Sequence, residues 1–307
     1  MSKLLAPGTR VHLVGIGGIG LSAIARVLRG WGYAVSGSDL QGSELTEALT
    51  REGVTVRAGH QPQWVSDADL VVISSAVPPD NAEVLEARRR GIPVVERAKI
   101  LSELTADKTT LAVAGTHGKT TTAAMIAWIL TEAGLDPTFI VGGVLQNLGT
   151  NARAGSGPHF VVEADEYQRT FLGLEPSVAV ITTLEHDHPD YYATFDETRA
   201  AFLEFADRLL PGGLLVVCGE DAEAAQLGAH IEEGKRRGET YGLDSRWNWW
   251  ADGRHLGNQS VFEVWHRGGT ARETQGQNGQ LLGTCALQVP GRHNVLNALA
   301  ALATAVE

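Results

Sequence analysis

Between residues 11 and 100 the chain alternates short apolar runs with stretches of mixed polarity at helical spacing. The runs are VHLVGI, AVSGSD, VTVRAG, DLVVISSA and PVVER. A buried run too short for a helix, followed by an amphipathic stretch and another buried run, is the pattern of βαβ units. It predicts an α/β fold with a mostly parallel sheet. ILSELTADKTT then carries a helix end into a polar turn, and LAVAGT starts a second series. In that series THGKTTTAAMIAWILTEAG and DETRAAFLEFADRL read as helices, and TFIVGG, HFVVEAD, VAVITTL and GLLVVCG as strands. Two α/β domains are expected, residues 1–105 and 106–307, with a boundary near Thr105. After about Glu239 the texture turns to Gly, Asn and Trp with weak alternation, which predicts antiparallel hairpins at a sheet edge. Three of the seven Trp lie in WNWW at 247–250, and cross-strand aromatic packing is the expected reason.

Composition removes several function classes. With 43% hydrophobic and 20% charged residues in 307, the chain is of the globular type. A formal net charge of -11 and a pI near 5.4 oppose a polyanion spread over a surface, so nucleic acid is excluded as a partner. A small anion is still admissible, because backbone N–H groups at a helix N-terminus hold phosphate without a basic patch. The most apolar helical stretch, AAMIAWIL, falls far short of the roughly 20 residues that span a bilayer, and no membrane role is expected. Cys218 and Cys285 are the only cysteines and lie far apart, and no basic leader precedes an apolar run, which points to a reducing cytoplasm.

Two glycine loops carry the first chemistry. Gly15-Ile-Gly17-Gly18-Ile19-Gly20 follows a strand and opens a helix, with Asp39 at the end of the next strand. Glycines let a backbone approach a diphosphate, the helix dipole favours its charge, and a carboxylate can accept ribose hydroxyls, so a Rossmann-like diphosphate site is expected. Asp39 has the alternative of being a helix cap. The second loop, Gly115-Thr116-His117-Gly118-Lys119-Thr120-Thr121, again stands between strand and helix. Its N–H groups can form an anion nest, Lys119 offers charge to the outer phosphates, and a Thr hydroxyl can reach magnesium. It departs from the strict P-loop pattern in having Val113 where the first Gly would stand. ATP with Mg2+ is the expected ligand, in a P-loop-type domain.

Three further clusters sit just past apolar runs or at a helix start. His159-Phe-Val-Val-Glu163-Ala-Asp165-Glu166 ends a strand in acids, where a carboxylate lies beside the phosphate loop and can hold metal; Glu163 is the best candidate. Glu185-His186-Asp187-His188-Pro-Asp190 could also bind metal, and magnesium suits it better than a Cys-based zinc site. In Gly291-Arg292-His293-Asn294-Val-Leu-Asn297 the two Asn lie three apart, so their amides could meet an adenine edge from one helix face; a cap is the plainer use.

With GTHGKTTT, EADE, HDH and GRHNVLNA in this order behind GIGGIG, the chain resembles the Mur ligases of peptidoglycan synthesis. SGSD at 36–39, AGH at 58–60, SSAVPPDNAE at 74–83, ERA at 96–98 and AGLDPTFIVGG at 133–143 extend the resemblance. It implies an ATP-dependent amide-forming ligase in three domains: one for UDP-N-acetylmuramate, a central ATPase, and a C-terminal one for the amino acid. The alanine-adding branch, which takes L-alanine, matches best. On this resemblance Lys119 holds the β- and γ-phosphates, Thr120 and Glu163 bind magnesium, and His188 serves a second magnesium. His293, Asn294 and Asn297 meet the adenine end. Gly17 to Gly20 face the UDP diphosphate, with Asp39, His60, Ser74, Ser75 and Arg97 as further substrate contacts.

Departures from the family pattern are Thr183-Leu184, commonly Asn and Ile, and Tyr167-Gln168, commonly Asp or Ser-Asp; both bear on metal placement. The sequence ends inside an amphipathic helix without a Gly or Pro stop. The expectation is that the amino-acid domain is absent and that the chain binds nucleotide without completing ligation. Two alternatives remain: the tripeptide-recycling branch, which shares GTHGKTTT and EADEY, and an NAD(P)-dependent oxidoreductase using Gly15 to Gly20.

Overall fold

The apolar runs of the first series become β1 (Arg10–Val14), β2 (Ala34–Asp39), β3 (Thr55–Ala58), β4 (Leu70–Ile73) and β5 (Val94–Glu96). They form one parallel sheet in the order β3-β2-β1-β4-β5. Between them run α1 (Ile19–Gly30), α2 (Glu44–Arg51), α3 (Ala82–Arg89) and, after β5, α4 (Arg97–Thr105). The chain leaves β1 toward β2 on one side and returns to β4 on the other, so strand order reverses beside β1. Ligands of open α/β sheets gather at such a point, beyond the carboxyl ends of the strands. The computed structural model describes residues 4–233, 237–256, 259–267 and 279–306.

Helix starts follow local chemistry. Ser43 and Thr46 form a reciprocal capping box on α2, and the Asn81 side chain accepts from Glu83 N and Val84 N at the start of α3. The α3 cap sets Glu83 on the first turn with its side chain fully buried. Leu13, Ile16, Ile24, Leu28 and Leu49 fill the core of this unit.

In the second unit β6 (Thr109–Ala114) leads through the second glycine loop into α5 (Lys119–Glu132). Next along the chain come a hairpin of β7 (Thr138–Leu145) and β8 (Thr150–Arg153), which belongs to the first unit, then β9 (His159–Glu163), β10 (Val178–Ile181), α6 (Phe195–Asp207), β11 (Leu214–Cys218) and α7 (Ala222–Glu233). The remainder is β12 (Arg237–Gly242), β13 (Trp249–Leu256), β14 (Gln259–His266), β15 (Gln280–Leu287) and α8 (Arg292–Ala305). The sheet of this unit runs β15-β14-β13-β12-β11-β10-β6-β9. It is parallel from β6 through β13 and antiparallel across β13, β14 and β15.

The edge hairpins read from the Gly, Asn and Trp texture are therefore present. Trp250 stacks on Trp265 of the neighbouring strand at 6.0 Å and Trp249 on His266 at 4.3 Å, which is the cross-strand packing expected of WNWW. Gly257, Asn258 and residues 268–270 of that stretch lie outside the described residues.

The two compact units are residues up to Lys108 with Leu135–Phe160, and Thr109–Gly134 with the residues from Val161. The β7–β8 segment groups with the first because it packs on α1. Arg26 donates to Asn151 Oδ1 at 2.9 Å, the Trp31 indole donates to Gly155 O, and Gly30 lies so near Ala154 that a Cβ there would stand 2.5 Å from the alanine methyl. Both cysteines are free thiols, and no helix among the described residues is long and apolar enough to cross a membrane.

Candidate functional site

The loop after β6 is shaped by two glycines and pinned by the residues leaving β10. Gly115 has φ +130°, and a Cβ on it would collide with the Thr182 hydroxyl and approach two backbone nitrogens. Gly118 has φ +84° in the left-handed region and precedes α5, which has no side-chain cap. The first N–H groups of α5 are thus left to an anion. Thr116 N donates to Thr183 O at 2.8 Å and His117 N to Thr183 Oγ1 at 3.0 Å, while the Thr182 hydroxyl donates to His117 O. The anion nest expected along the whole loop is therefore confined to the helix start, since two loop N–H groups are taken by Thr183. The exchange of the family's Asn for Thr183 keeps an oxygen that fixes the loop.

Lys119 folds back over this loop. Its Nζ donates to Gly115 O at 2.6 Å and lies 2.9 Å from Glu166 Oε1. Glu166 is 2% exposed; burial pushes its carboxyl above the usual range, against the pull of the Lys119 ammonium. Its second oxygen, Oε2, is buried with no hydrogen-bond partner among the described residues. Thr120 Oγ1 donates to Glu163 Oε2 at 2.8 Å, so the two expected magnesium ligands are brought together. Thr121 is half-buried, and exposed His117 lies 3.7 Å from Glu185.

His188, at φ +54°, is turned back so that Glu166, Asp187 and His188 each place a ligand atom within 4.8 Å of the others. The Tyr192 hydroxyl donates to Glu166 O, and the Tyr167 ring packs on His188 at 4.9 Å. Two carboxylates and an imidazole around a bare buried carboxylate oxygen are a donor set that could hold a divalent cation. Reading from sequence named Glu163 and His188 as metal candidates but did not single out Glu166 as the partner of Lys119; the EADE run was the available signal.

At the start of α8 the two asparagines are engaged separately. Asn297 is 7% exposed, its Oδ1 would stand 2.5 Å from a Cβ on Gly118, and Thr122 Oγ1 donates to it. It supports the phosphate loop from behind rather than sharing an outward edge with Asn294, whose amide donates to Pro290 O. His293 is exposed beside Gly291, and Arg292 is held by Glu220 at 2.7 Å.

In the first unit, Gly15 at φ +83° and Ile16 donate their N–H groups to Ser38 O, and Gly17 N donates to Asp39 Oδ2 at 2.8 Å. Asp39 is thus tied to the turn itself. Gly18 precedes α1 without a side-chain cap, and Ile19 is exposed. A Cβ on Gly20 would touch the Arg97 guanidinium at 3.0 Å, and one on Gly15 would touch Ser74 Cβ at 3.2 Å. Ser75 beside it is exposed. His60 lies 3.0 Å through Nδ1 from Ser38 Oγ, one residue before Asp39. The glycine loop, Asp39, His60, Ser74 and Arg97 are therefore gathered at one end of this sheet; Ser38 and Glu83 were overlooked.

The profile described as the Mur ligase middle domain matches residues 113–305, and that of the Mur ligase family, catalytic domain, matches residues 10–109. The chain is 47% identical over 298 residues to the UDP-N-acetylmuramate--L-alanine ligase of Geotalea daltonii, covering 97% of this chain and 62% of that protein. With the enzyme of that name from Carboxydothermus hydrogenoformans it shares 45% identity, over 98% of this chain and 61% of that one. The chain thus spans less than two thirds of the length of these relatives.

Among solved structures it is similar to the UDP-N-acetylmuramate:L-alanyl-gamma-D-glutamyl-meso-diaminopimelate ligase from Neisseria meningitides. There the TM-score is 0.83 at 30% identity, covering 97% of this chain and 93% of that one. It is also similar to the UDP-N-acetylmuramate-alanine ligase from Thermotoga maritima, with a TM-score of 0.79 at 32% identity, covering 96% and 64%.

Proposed function

The chain belongs to the Mur ligase family, and from that premise we propose that it supplies the nucleotide-sugar and ATP sites of a cytoplasmic ligase joining L-alanine to UDP-N-acetylmuramate. The observation that carries the reading is Lys119 and Thr120 of one phosphate loop set against Glu166 and Glu163, two acids of one strand end. The alanine-adding branch is preferred because relatives of that name reach 45–47% identity. The family also leaves no place for the oxidoreductase alternative.

In this reading the α5 N-terminus takes the ATP phosphates, and Lys119 exchanges its contact with Gly115 O for the β- and γ-phosphates. Thr120 and Glu163 hold a magnesium ion, and Glu166, Asp187 and His188 are the residues for a second. A bound magnesium supplies charge neutralisation to the transferring phosphoryl group. His293 and Asn294 meet the adenine end, with Asn297 behind the loop. A lactyl carboxylate oxygen attacks the γ-phosphorus, ADP leaves, and the acyl phosphate is displaced by the L-alanine amine with loss of phosphate. Lys119 stabilises the charge that develops on the phosphoryl oxygens. In the first unit the UDP diphosphate lies at the α1 N-terminus over Gly17 to Gly20 with Arg97, while Asp39 fixes the turn. His60, Ser74 and Ser75 line the rest of that site.

Thermal-shift and calorimetric titration of the 307-residue chain test the proposal. Ligand at 100 times its Kd stabilises a site by about 2.7 kcal/mol. Stabilisation by UDP-N-acetylmuramate and by ATP with magnesium, and none by NAD, is expected. Stabilisation by NAD alone refutes it.

A further inference from the structure

A buried carboxylate in the first unit has no part in the chemistry above. Glu83, on the first turn of α3, is fully buried and faces three elements at once. Its Oε1 accepts from Gln61 N at 3.2 Å. Its Oε2 accepts from the Ser38 hydroxyl at 2.5 Å and lies 3.5 Å from His12 Nε2 and 3.4 Å from His60 Nδ1. His12 is itself fully buried, with Nδ1 2.8 Å from Ser36 Oγ. His12 from β1 and His60 from the segment after β3 are the titratable groups facing the carboxylate; Ser38 comes from β2.

The direction of each hydrogen bond follows from the carboxylate. Burial pushes the Glu83 carboxyl upward, but the contacts from His12, Ser38 and Gln61 outweigh it and hold the group below the usual range. An ionised acid only accepts, so the single Ser38 hydroxyl proton points at Glu83 and Ser38 Oγ has only lone pairs for His60. His60 Nδ1, 3.0 Å away, must therefore carry the proton. A neutral imidazole protonated at Nδ1 is an acceptor at Nε2. His60 makes no hydrogen bond through Nε2 among the described residues, and its side chain is 15% exposed.

We propose that Glu83 is a positioning residue which, through Ser38, locks His60 as the Nδ1–H tautomer, so that Nε2 offers a lone pair to a hydrogen-bond donor on the nucleotide sugar. The donor is a hydroxyl or an imide N–H; a phosphate oxygen, which only accepts, does not suit a lone pair at Nε2. The inference rests on the reading that His60 lines the UDP-N-acetylmuramate site.

Nitrogen-15 NMR of the ring nitrogens, with the 307-residue chain labelled at histidine, reads the tautomer directly at neutral pH. His60 is expected protonated at Nδ1 in the unaltered chain and redistributed toward Nε2–H in Glu83→Gln and Ser38→Ala. A neutral hydrogen bond mispresented to the ligand weakens binding by roughly three- to tenfold. Calorimetry should therefore show that loss for UDP-N-acetylmuramate in both variants, with ATP affinity unchanged. A general structural defect would not move the tautomer while sparing ATP. His60 found as the Nε2–H tautomer in the unaltered chain overturns the inference without needing any variant to fold. So does unchanged affinity in Glu83→Gln once its tautomer has moved. If His60→Ala leaves UDP-N-acetylmuramate binding intact, the placement of His60 in the site fails, and the inference with it. If the tautomer is as stated and only the affinity response of Glu83→Gln is missing, the placement survives and the inference alone falls.

Discussion

Gly118→Ala tests whether the phosphate loop is held by the two causes assigned to it, backbone conformation and the wall behind it. At φ +84° an alanine pays the left-handed penalty of roughly 1–2 kcal/mol. Its Cβ would also stand 2.5 Å from Asn297 Oδ1, on a residue 7% exposed that has little room to retreat. Moving Asn297 breaks its bond from Thr122, about 1 kcal/mol. The single variant should therefore destabilise the second unit by about 2.5 kcal/mol. Asn297→Ala alone loses the Thr122 bond and should cost about 1 kcal/mol. In the double variant the clash is gone while the backbone strain remains. The expected cost is about 2.5 kcal/mol rather than the additive value near 3.5, a coupling of about 1 kcal/mol. Native-state hydrogen exchange of the α5 and β6 amides measures these values within the second unit. A strictly additive pair would show that Asn297 does not press on the loop, and a Gly118→Ala cost below about 0.5 kcal/mol would remove the strain argument as well.

Lys119→Met should weaken ATP binding at least about a hundredfold, because charge-assisted phosphate contacts are worth about 1.5–3 kcal/mol each. It also strands Glu166 in its buried setting, so Lys119→Met/Glu166→Gln should recover stability in urea titration but not ATP affinity by calorimetry. Gly17→Ala sets a Cβ 2.8 Å from Asp39 Oδ2 and 3.1 Å from Thr46 Cγ2, and should weaken UDP-N-acetylmuramate while leaving ATP alone. Equal losses for both ligands would contradict the assignment of separate sites. For pH, the folded carboxyl of Glu83 lies below its unfolded value, roughly 4.3. Its stabilising contribution is then complete above that pH and disappears as pH falls through the folded value. Unfolding scans of Glu83→Gln from pH 6 to pH 3 should show a shallower acid limb than the unaltered chain, and a steeper one would reverse the sign argued here.

The parts of this molecule that could be read from sequence are those whose causes are local. A strand, a left-handed glycine and an uncapped helix start are dictated by neighbours in the chain, so both loops and their sheets were legible. Trp249 and Trp250 were legible as packing because aromatic residues in a hairpin-forming stretch meet neighbours across the strands, here His266 and Trp265. Of the β7–β8 hairpin only TFIVGG was legible as a strand; Thr150–Arg153 and the grouping with α1 were not, since that grouping depends on Gly30 admitting Ala154 from more than a hundred residues away. Asn294 and Asn297 share a helix spacing that implied a common target, yet the glycine at 118 draws one of them inward.

Acids were the least legible, because a carboxylate takes its role from the donors that surround it. Glu83 and Glu166 are both buried and both follow a short polar motif in the sequence. Around Glu83 a hydroxyl answers one oxygen and a backbone N–H the other, with two imidazoles close by, and the carboxyl is held below its usual range. Around Glu166 the Lys119 ammonium answers one oxygen while the other is bare, and burial wins. A saturated acid can transmit orientation to its neighbours but has nothing left to bind. An acid with one buried oxygen still bare keeps a lone pair for a further donor or a cation. The same residue type thus serves as a fixed strut in one unit and, in the proposed function, as a metal ligand in the other, and the donors that answer each acid separate the two.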